Sequence, residues 1–470
     1  MIRFGTGGWR AVIADEFTKE NIRLLIAGLC ALMEKEGHCG TTVCLGYDRR
    51  FLSKESMFWA AEVLAGYGFR PYIINRSVPT PLIMFTVKQM GLPYGMAITA
   101  SHNPAIYNGI KVFTAGGRDA DQTVTRKIEK EIENLRPEDV KSIPYAEALA
   151  SGIIREGYPF NEYVDSILEM VDTKAIKKSG LRVAIDPMYG VGLNSLRTIL
   201  MTCRCDIEVL HEQHDTLFGG RMPAPSADAL KLLSTYVVDN RCHLGIAMDG
   251  DADRLGVIDE YGSYLHANAL LVLLYYYFLQ YRGWRGPCVR NNSTTHLLDR
   301  VAADFGQKCY EVPVGFKYVS AKMAETDAII GGESSGGMAV KGHIPGKDGI
   351  YAAALLVEML AVTGKTVGEL YREIIQKYGM LYYDESSFQM TAQRKEELQD
   401  LIFCQQQIPG FSETVARIDW TDGCKVYFND QSWVICRFSG TEPLLRIAAE
   451  GNTMHQTIDY IQKWKTFLKL

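Results

Sequence analysis

The sequence predicts three related α/β domains with mainly parallel sheets, followed by a smaller C-terminal α+β domain. Short apolar runs alternate with segments of helical periodicity in three successive rounds, which is the pattern of parallel sheets covered by helices. From about Tyr382 the pattern changes to short strands and helices and ends in a helix. The length of 470 residues fits this division, since domains commonly hold about 100–150 residues.

The first round predicts two helices and three strands. Thr18 can cap the first helix and Gly37 can end it. We expect helices at 18–36 and 53–67, and strands at 42–46, 70–75 and 95–99. The polar stretch 122–150 predicts a further helix with a connector.

The second and third rounds repeat this alternation. The expected strands are 181–186, 206–210, 244–248, 287–290 and 328–330, and the expected helices are 190–200, 267–281 and one from about 294. The most apolar segment, 267–279, is shorter than the roughly 20 residues that span a bilayer, which indicates a buried helix. The predicted domains are 1–147, 148–258, 259–378 and 379–470.

Composition argues against nucleic-acid and membrane partners. Lys and Arg number 50 against 55 Asp and Glu, so the net charge is −5 and no broad cationic surface is expected. The 11 cysteines show no C-x-x-C spacing, and the N-terminus lacks a basic region followed by an apolar run. These features predict reduced, mostly buried thiols in a cytoplasmic protein. The oligomeric state stays open.

The first segment with chemical character is 99–104, which follows an apolar strand and contains Ser101. A serine at the carboxyl end of a parallel strand lies where such sheets bind ligands. A serine-hydrolase triad is disfavoured, because the G-x-S-x-G pattern is missing and His102 is the adjacent residue. Alone, the segment also fits a polar turn.

The second segment places Asp249, Asp251 and Asp253 at alternate positions directly after the apolar run 244–248. Three neighbouring carboxylates repel each other unless a cation binds them, and oxygen ligands suit Mg²⁺. An EF-hand loop is disfavoured, since Arg254 stands at the sixth position, where that loop requires glycine. A phosphatase that works through an aspartyl phosphate also carries Asp-x-Asp after a strand and stays open.

The third segment is the glycine-rich loop 331–337, again after an apolar run. Glycines let a backbone approach a ligand closely. Glu333 and Ser335 can bond neighbouring hydroxyl groups such as those of a sugar, and Lys347 can bring a cation to the same place.

The fourth segment, 437–443, combines arginines, hydroxyls and an open backbone, which together can hold a phosphate. These groups are Arg437, Ser439, Gly440 and Thr441, with Arg446 beyond them. Seen alone, the segment also fits a solvated loop with a surface ion pair.

Together the four segments resemble the α-D-phosphohexomutase family, which includes phosphoglucomutases, phosphomannomutases and phosphoglucosamine mutases. The resemblance covers essentially the whole chain in the family's order and includes the stretches 4–10 and 314–317. It implies four domains around a central cleft. It also implies an enzyme that interconverts hexose 1- and 6-phosphates through a phosphorylated Ser101 and a hexose 1,6-bisphosphate, with Mg²⁺ as cofactor and glucose 1,6-bisphosphate as activator.

The resemblance further implies a role for each motif residue. An oxygen of the phosphoserine would complete the Mg²⁺ site formed by the three aspartates. The implied catalytic and metal-binding residues are Ser101, Arg10, His102, Lys111, Asp249, Asp251 and Asp253, with Asn103 and Arg254 around them. The implied substrate-binding residues are Glu333, Ser335 and Lys347 for the sugar, and Arg437, Ser439, Gly440, Thr441 and Arg446 for its phosphate.

One position departs from the family's pattern. Phosphomannomutase-like members carry a His where Gly337 stands and a Met or Gln near Ser334, whereas glucose-specific members carry a Lys-Asp-Gly like 347–349. The sequence therefore favours glucose phosphates, with phosphomannomutase or phosphoglucosamine mutase as the alternative, and it identifies no general base. A Mg²⁺-dependent sugar phosphatase and a non-catalytic sugar-phosphate-binding protein are the rival functions.

Overall fold

The computed structural model describes residues 2–5, 7–439 and 444–470. Within these residues the strands form four sheets that follow one another along the chain. The first three sheets mix parallel and antiparallel strands and are covered by helices, and the fourth is antiparallel throughout. The predicted fold class is confirmed.

The first sheet has seven strands, and its carboxyl edge carries Ser101. The strands are β1 (Trp9–Val12), β2 (Thr42–Tyr47), β3 (Arg70–Ser77), β4 (Tyr94–Ile98), β5 (Tyr107–Thr114), β6 (Arg118–Asp119) and β7 (Arg155–Gly157). They lie in the order β1-β5-β4-β2-β3-β7, with β6 beside β5. The helices are α1 (Lys19–Lys35), α2 (Ser53–Gly66), α3 (Thr80–Gln89), α4 (Gln122–Ile132) and α5 (Tyr145–Ala150).

The second sheet has five strands in the order β12-β11-β10-β8-β9. The strands are β8 (Arg182–Asp186), β9 (Asp206–Val209), β10 (Leu244–Met248), β11 (Leu255–Ile258) and β12 (Tyr264–Leu265). The helices are α6 (Phe160–Leu168), α7 (Thr173–Ser179), α8 (Leu193–Thr202) and α9 (Lys231–Asp239).

The third sheet has four strands in the order β14-β13-β15-β16. The strands are β13 (Cys288–Asn291), β14 (Cys309–Val312), β15 (Ile330–Gly332) and β16 (Met338–Val340). The helices are α10 (Ala267–Gln280), α11 (Leu297–Asp304), α12 (Phe316–Thr326), α13 (Gly349–Thr363) and α14 (Val367–Tyr378).

The fourth sheet has five strands in the order β17-β21-β20-β19-β18. The strands are β17 (Tyr382–Gln389), β18 (Val415–Asp419), β19 (Cys424–Phe428), β20 (Trp433–Phe438) and β21 (Leu444–Gly451), and the helices are α15 (Ala392–Gln399) and α16 (Met454–Leu468). Trp464 of α16 is fully buried in the core on this sheet.

The first three sheets share one topological feature. In each, one strand of the parallel core is followed directly along the chain by an antiparallel partner: β4 by β5, β10 by β11, and β15 by β16. The turn between the two strands therefore lies at the carboxyl end of a parallel strand, where α/β sheets bind ligands. Ser101, the three aspartates and Glu333 all lie in these equivalent turns.

The expected elements occur with ends shifted by a few residues. Thr18 caps α1 by accepting the Asn21 amide, as predicted. The sequence analysis missed the antiparallel strands β5, β11 and β16, because these short strands are specified by pairing with a distant neighbour. The domain boundaries remain predictions, although 155–157 belongs to the first sheet through its pairing with β3.

Buried charges attach the fourth sheet to the third. Glu311 of β14 accepts hydrogen bonds from Lys425 of β19 at 2.8 Å and from Arg290 of β13 at 2.5 Å. The backbone amide of His296 donates to Glu450 of β21 at 2.8 Å. Buried charges persist only when they are paired, and these pairs link the two sheets.

Two further predictions concern the chain as a whole. All 11 cysteines are free and most are buried, as expected. Among the described residues no single helix is long and apolar enough to cross a membrane. One pair of helices joined at a sharp bend, Gly349–Thr363 with Val367–Tyr378, reaches that length and apolar composition only when the two are taken together. The predicted buried helix at 267–281 is confirmed as α10, most of whose side chains are buried.

Candidate active site

Each sheet with its helices is called a unit below, numbered in chain order. A cleft of about 620 Å³ lies where the four units meet. Its lining includes residues from every unit, and most of the residues singled out by sequence are among them. These are Arg10, His102, Asn103 and Lys111 of the first unit, Arg254 of the second, Glu333, Ser335 and Lys347 of the third, and Arg437, Ser439 and Arg446 of the fourth. Segments far apart in sequence therefore form one site.

Ser101 is held in a backbone conformation that few non-glycine residues adopt. Its φ is +53°, in the left-handed region, and such strain persists only where the surroundings enforce it. The Ser101 amide donates to Thr99 Oγ1 at 2.9 Å, and the Ser101 carbonyl accepts from Arg50 at 2.7 Å. The turn after β4 therefore presents the Ser101 hydroxyl in a fixed direction.

Arg50 and Asp48 are buried residues that the sequence analysis missed. Arg50 donates to the carbonyl oxygens of four residues in the serine turn, Ser101, Asn103, Pro104 and Tyr107. Asp48 in turn accepts from the Arg50 amide at 2.9 Å. Their position at the carboxyl end of β2, the strand beside β4, is the signal that could have identified them.

The three aspartates lie directly against Ser101. Its hydroxyl donates to Asp249 Oδ2 at 2.7 Å, and one carboxylate oxygen from each of Asp249, Asp251 and Asp253 lies within 4.8 Å of the others. The backbone amides of Asp253 and Arg254 donate to Asp249 Oδ1, each at 3.0 Å. The turn thus aims the carboxylates at the serine.

This cluster fits a divalent cation. Within the described part of the chain, Asp251 Oδ1 and Asp253 Oδ1 are buried and accept no hydrogen bond, which is costly for a carboxylate oxygen that coordinates nothing. Burial and the charges of Asp251 and Asp253 raise the pKa of Asp249 to about 8. Mg²⁺ prefers hard oxygen donors of this kind, and binding it would remove the repulsion among the three carboxylates.

Two lysines balance the aspartates. Lys111 of β5 donates to Asp251 at 2.6 Å and to Asp253 at 2.7 Å, and Lys347 lies 2.7 Å from the same Asp253 oxygen. Burial alone would raise the pKa of Asp253, but Lys111 and Lys347 outweigh it and hold that pKa well below its usual range. Burial lowers the pKa of Lys111, yet the two carboxylates outweigh it and raise that pKa above the ordinary value.

His102 and Arg10 complete the first unit's part of the cleft. A ring nitrogen of His102 lies 3.3 Å from Ser101 Oγ. Burial, assisted by Arg254 and Arg10, lowers the pKa of His102 well below its usual value, so the imidazole is neutral near pH 7. Arg10 donates to Asn103 Oδ1 at 2.6 Å, which holds its guanidinium beside the serine turn.

The glycine-rich loop places Glu333 in the cleft wall. Its Oε1 accepts from Asn291 Nδ2 and from the Gly315 amide, both at 3.1 Å. Ser335 is exposed on the cleft surface. Lys347 fills the space beside Gly337, where an added Cβ would lie 2.3 Å from Lys347 Cδ.

The fourth unit presents two arginines side by side. Arg437 of β20 and Arg446 of β21 are direct cross-strand partners. Like charges placed opposite each other destabilise a sheet unless an anion compensates them, so this pairing at the cleft is suited to a phosphate. Gly440 and Thr441, the other predicted phosphate-binding residues, lie outside the described residues.

Asp119 is a cleft residue that the sequence analysis did not identify. It lies on β6, a two-residue strand, opposite Phe113 of β5. Burial raises the pKa of its carboxyl group, and the neighbouring Lys347 and Lys111 partly offset that rise. No local sequence pattern predicts so short a strand, because it forms only through its pairing with β5.

Three sequence models of phosphoglucomutase/phosphomannomutase domains match this chain. The model of α/β/α domain I matches residues 1–139, that of domain II matches 161–262, and that of domain III matches 266–378. The matches follow one another in order, and each covers all or most of the strands of one of the first three sheets.

Whole proteins are similar over nearly the full length. A phosphoglucomutase/phosphomannomutase of Thermococcus kodakarensis is 30% identical, covering 98% of this chain and 96% of its own. A phosphoglucosamine/phosphogalactosamine mutase of Sulfurisphaera tokodaii is 29% identical, covering 98% of both. The crystal structure of a phosphoglucomutase/phosphomannomutase family protein from Burkholderia thailandensis superposes with a TM-score of 0.82 at 21% identity, covering 100% of this chain and 98% of its own.

Proposed function

Because the chain belongs to the phosphoglucomutase/phosphomannomutase family and is a phosphohexomutase, we propose that it interconverts the 1- and 6-phosphates of a hexose through a phosphorylated Ser101. The family resemblance drawn from the four loops is confirmed by the matches. We also propose the finer assignments: the phosphoserine, the metal, the roles of individual residues and the sugar.

One observation carries the proposal: the Ser101 hydroxyl lies against a cluster of three aspartates. His102 and Lys111, which contact this group, line the same cleft as two cross-strand arginines. A phosphoryl carrier and a separate anion site in one cleft are what a mutase requires, because its substrate bears one phosphate while accepting another. A phosphatase needs no second anion site, and a binding protein needs no strained nucleophile.

The reaction is a pair of phosphoryl transfers. In the first, a free hydroxyl of the hexose phosphate attacks the phosphorus on Ser101, the Ser101 Oγ–phosphorus bond breaks, and a hexose 1,6-bisphosphate forms. The bisphosphate then turns over in the cleft and returns its other phosphate to Ser101. Glucose 1,6-bisphosphate would activate the enzyme by phosphorylating Ser101 when the phosphate has been lost.

The charges around Ser101 suit this chemistry. A Mg²⁺ ion held by Asp249, Asp251 and Asp253 would neutralise charge on the transferred phosphoryl group. Lys111 remains protonated at neutral pH, so it can stabilise the developing charge but cannot act as a base. Arg10, fixed by Asn103, supplies a second cation beside the serine turn.

The substrate contacts must serve both orientations of the bisphosphate. Arg437 and Arg446 recognise a phosphate by charge and by hydrogen bonds, without regard to the carbon that carries it. Glu333, held by the Asn291 side chain and the Gly315 amide, can bond sugar hydroxyls near the middle of the ring. Water must be excluded during the turn, since it would hydrolyse the phosphoserine.

The names of the relatives favour mannose phosphate or glucosamine phosphate over glucose phosphate as the substrate. The relatives described above are named for mannose, glucosamine and galactosamine phosphates as well as for glucose phosphate. The cleft also contains carboxylates, among them Asp119 and Glu333, that can pair with the ammonium group of a hexosamine. We therefore propose glucosamine phosphate and mannose phosphate as substrates ahead of glucose phosphate.

A side-by-side assay tests this proposal. Mutase turnover is measured on glucosamine 1-phosphate, mannose 1-phosphate and glucose 1-phosphate with Mg²⁺ and a trace of the matching 1,6-bisphosphate. Preference for glucosamine or mannose phosphate supports the assignment, and strict preference for glucose phosphate contradicts it. Release of inorganic phosphate in proportion to turnover would favour the phosphatase, and binding without turnover would favour the binding protein.

Adding a side chain at Gly337 should disable Lys347. In Gly337→Ala the new Cβ would collide with Lys347 Cδ at 2.3 Å, so the lysine side chain must shift, and we expect the shift to draw its ammonium group away from Asp253. The Gly337 φ is not among the positive values, so alanine fits the backbone. Because misplacement of a charged group at a reacting centre commonly costs up to about 100-fold in rate, we expect kcat/KM to fall about tenfold or more with an unchanged Tm.

The control is the double variant. If the collision with Lys347 is the cause, Gly337→Ala combined with Lys347→Ala should be no worse than Lys347→Ala alone. Fully additive losses would show that Gly337 acts independently of Lys347.

A further inference from the structure

The turn between β18 and β19 brings an aspartate into contact with two parts of the cleft. Asp422 and Gly423 form its tip, and Gly423 has a φ of +95°. A Cβ at Gly423 would lie 2.7 Å from the Cys436 carbonyl and 3.1 Å from Arg437 Cβ, so only glycine lets the turn pack this closely on β20. The fold therefore presses the Asp422 side chain against Arg437.

Asp422 binds the cleft arginine through both carboxylate oxygens. Arg437 Nε lies 3.0 Å from Oδ1 and 3.1 Å from Oδ2. Both side chains are mostly buried, at 15% exposure for Arg437 and 21% for Asp422. A hydrogen-bonded ion pair in such surroundings restricts the guanidinium to one orientation.

The same carboxylate reaches across to the third unit. Asp422 Oδ2 accepts from the backbone amide of Val314 at 2.6 Å, and the Asp422 carbonyl accepts from Asn292 Nδ2 at 3.3 Å. Val314 precedes Gly315, whose amide donates to Glu333. One side chain thus joins the strand of Arg437 to the backbone segment that holds Glu333.

The charge of Asp422 has a specific use here. Arg437 and Arg446 are cross-strand partners, and their repulsion would spread the two side chains apart in the absence of an anion. Asp422 pairs with Arg437, while Glu385 lies 3.6 Å from Arg446. Each arginine therefore has its own carboxylate before a phosphate arrives.

We propose that Asp422 is a positioning residue that orients Arg437 for the substrate's phosphate and couples that site to the sugar-binding Glu333 through Val314. The inference rests on the proposed function of Arg437 and Glu333. Since the substrate phosphate must be bound in two orientations of the sugar, a fixed distance between the phosphate site and the sugar site lets both orientations use the same two anchors.

The test compares two variants of Asp422. Asp422→Asn keeps a carbonyl oxygen for the Val314 amide but loses the negative charge that pairs with Arg437. Asp422→Ala loses both contacts. Calorimetry measures the Kd of hexose 6-phosphate for the whole protein, and steady-state kinetics gives KM and kcat. A matched control is Asp419→Asn in the same turn region, where Asp419 accepts the Thr421 amide and does not line the cleft.

Both variants should bind hexose 6-phosphate about tenfold more weakly, with KM raised in parallel and kcat changed less, because a contact kept throughout the reaction appears in KM. Only Asp422→Ala should change the ratio of kcat/KM between two sugar phosphates, since only it releases Val314. Combining Asp422→Asn with Arg437→Lys should cost less than the sum of the single changes, because both act on one group.

Three outcomes would overturn the inference. Kd and KM within twofold of the wild-type values, with only Tm lowered, would mean that Asp422 merely holds the turn. A wild-type protein that neither binds nor converts any hexose phosphate would remove the proposed function and this inference together. Normal wild-type turnover with unaffected Asp422 variants would remove the inference alone.

Discussion

Replacing Ser101 by alanine should lower mutase turnover by about 1,000-fold or more while the protein stays folded, since a reaction that proceeds through a covalent carrier has no comparable route without it. The Ser101 hydroxyl is the group of the serine turn that is held against the three aspartates, through its hydrogen bond to Asp249. The measurement is steady-state turnover of the preferred hexose 1-phosphate, with Tm as the test of folding.

The substitution should disturb the fold little. Alanine tolerates the φ of +53° as well as serine does, and the turn keeps the bonds from Arg50 to its carbonyl oxygens. The lost hydrogen bond to Asp249 costs about 1–3 kcal/mol. Ser195→Ala is the matched control, since Ser195 is also fully buried and its hydroxyl has no partner among the described residues. Near-normal turnover in Ser101→Ala would refute the phosphoserine mechanism.

Replacing Asp251 by asparagine should separate metal binding from folding. The change removes one of three charged oxygen donors, so we expect the Mg²⁺ concentration for half-maximal activity to rise about 10- to 100-fold or more, and kcat to fall. Metal-free Asp251→Asn should be less stable than the metal-free wild type, because the buried Lys111 loses one of its two carboxylate partners. The metal effect is therefore read from the change that Mg²⁺ causes in each protein.

Thermal unfolding with and without Mg²⁺ gives an independent readout. A ligand that binds only the folded state raises Tm in proportion to its affinity, so Mg²⁺ should stabilise the wild type and have little effect on Asp251→Asn. Asp239→Asn, which changes an exposed carboxylate on α9 of the same unit, should respond like the wild type. An unchanged Mg²⁺ requirement in Asp251→Asn would move the metal site elsewhere.

The parts of the site that follow a local pattern could be predicted from sequence. Apolar runs that end at Thr99 and Met248 identify strand ends, and side chains just after such ends lie at the ligand-binding edge of a parallel sheet. The pattern within 249–253 also indicates the chemistry, since alternating carboxylates suit a cation. These predictions need only the residues next to the strand.

The remaining parts depend on contacts between distant segments. Lys111 is buried, and its charge is balanced by Asp251 and Asp253, about 140 positions later in the chain. The position of Arg50 after β2 suggests a place at the site, but its hydrogen bonds to the carbonyl oxygens of the serine turn are seen only in the structure. The contacts of Asp422 with Val314 and Arg437 are seen only once the turn between β18 and β19 is placed beside the third unit. A sequence lists these residues but does not pair them.

The equivalent turns of the first three sheets explain why one fold repeated three times can build one site. Each unit contributes the connection between a parallel strand and its antiparallel partner, and the three connections differ in length and in their side chains. The first holds Ser101, the second the aspartates and the third Glu333. The fourth sheet, which is antiparallel throughout, supplies arginines from neighbouring strands instead.

The central claim is that Ser101 carries the phosphoryl group between two positions of one sugar. The most direct test is a single-turnover experiment in which the protein is incubated with hexose 1,6-bisphosphate and Mg²⁺, freed of small molecules and then mixed with hexose 1-phosphate. Peptide mass spectrometry before mixing should find one phosphoryl group on Ser101, and after mixing it should appear in bisphosphate or hexose 6-phosphate. A phosphoryl group on another residue, or one that passes only to water, would contradict the account.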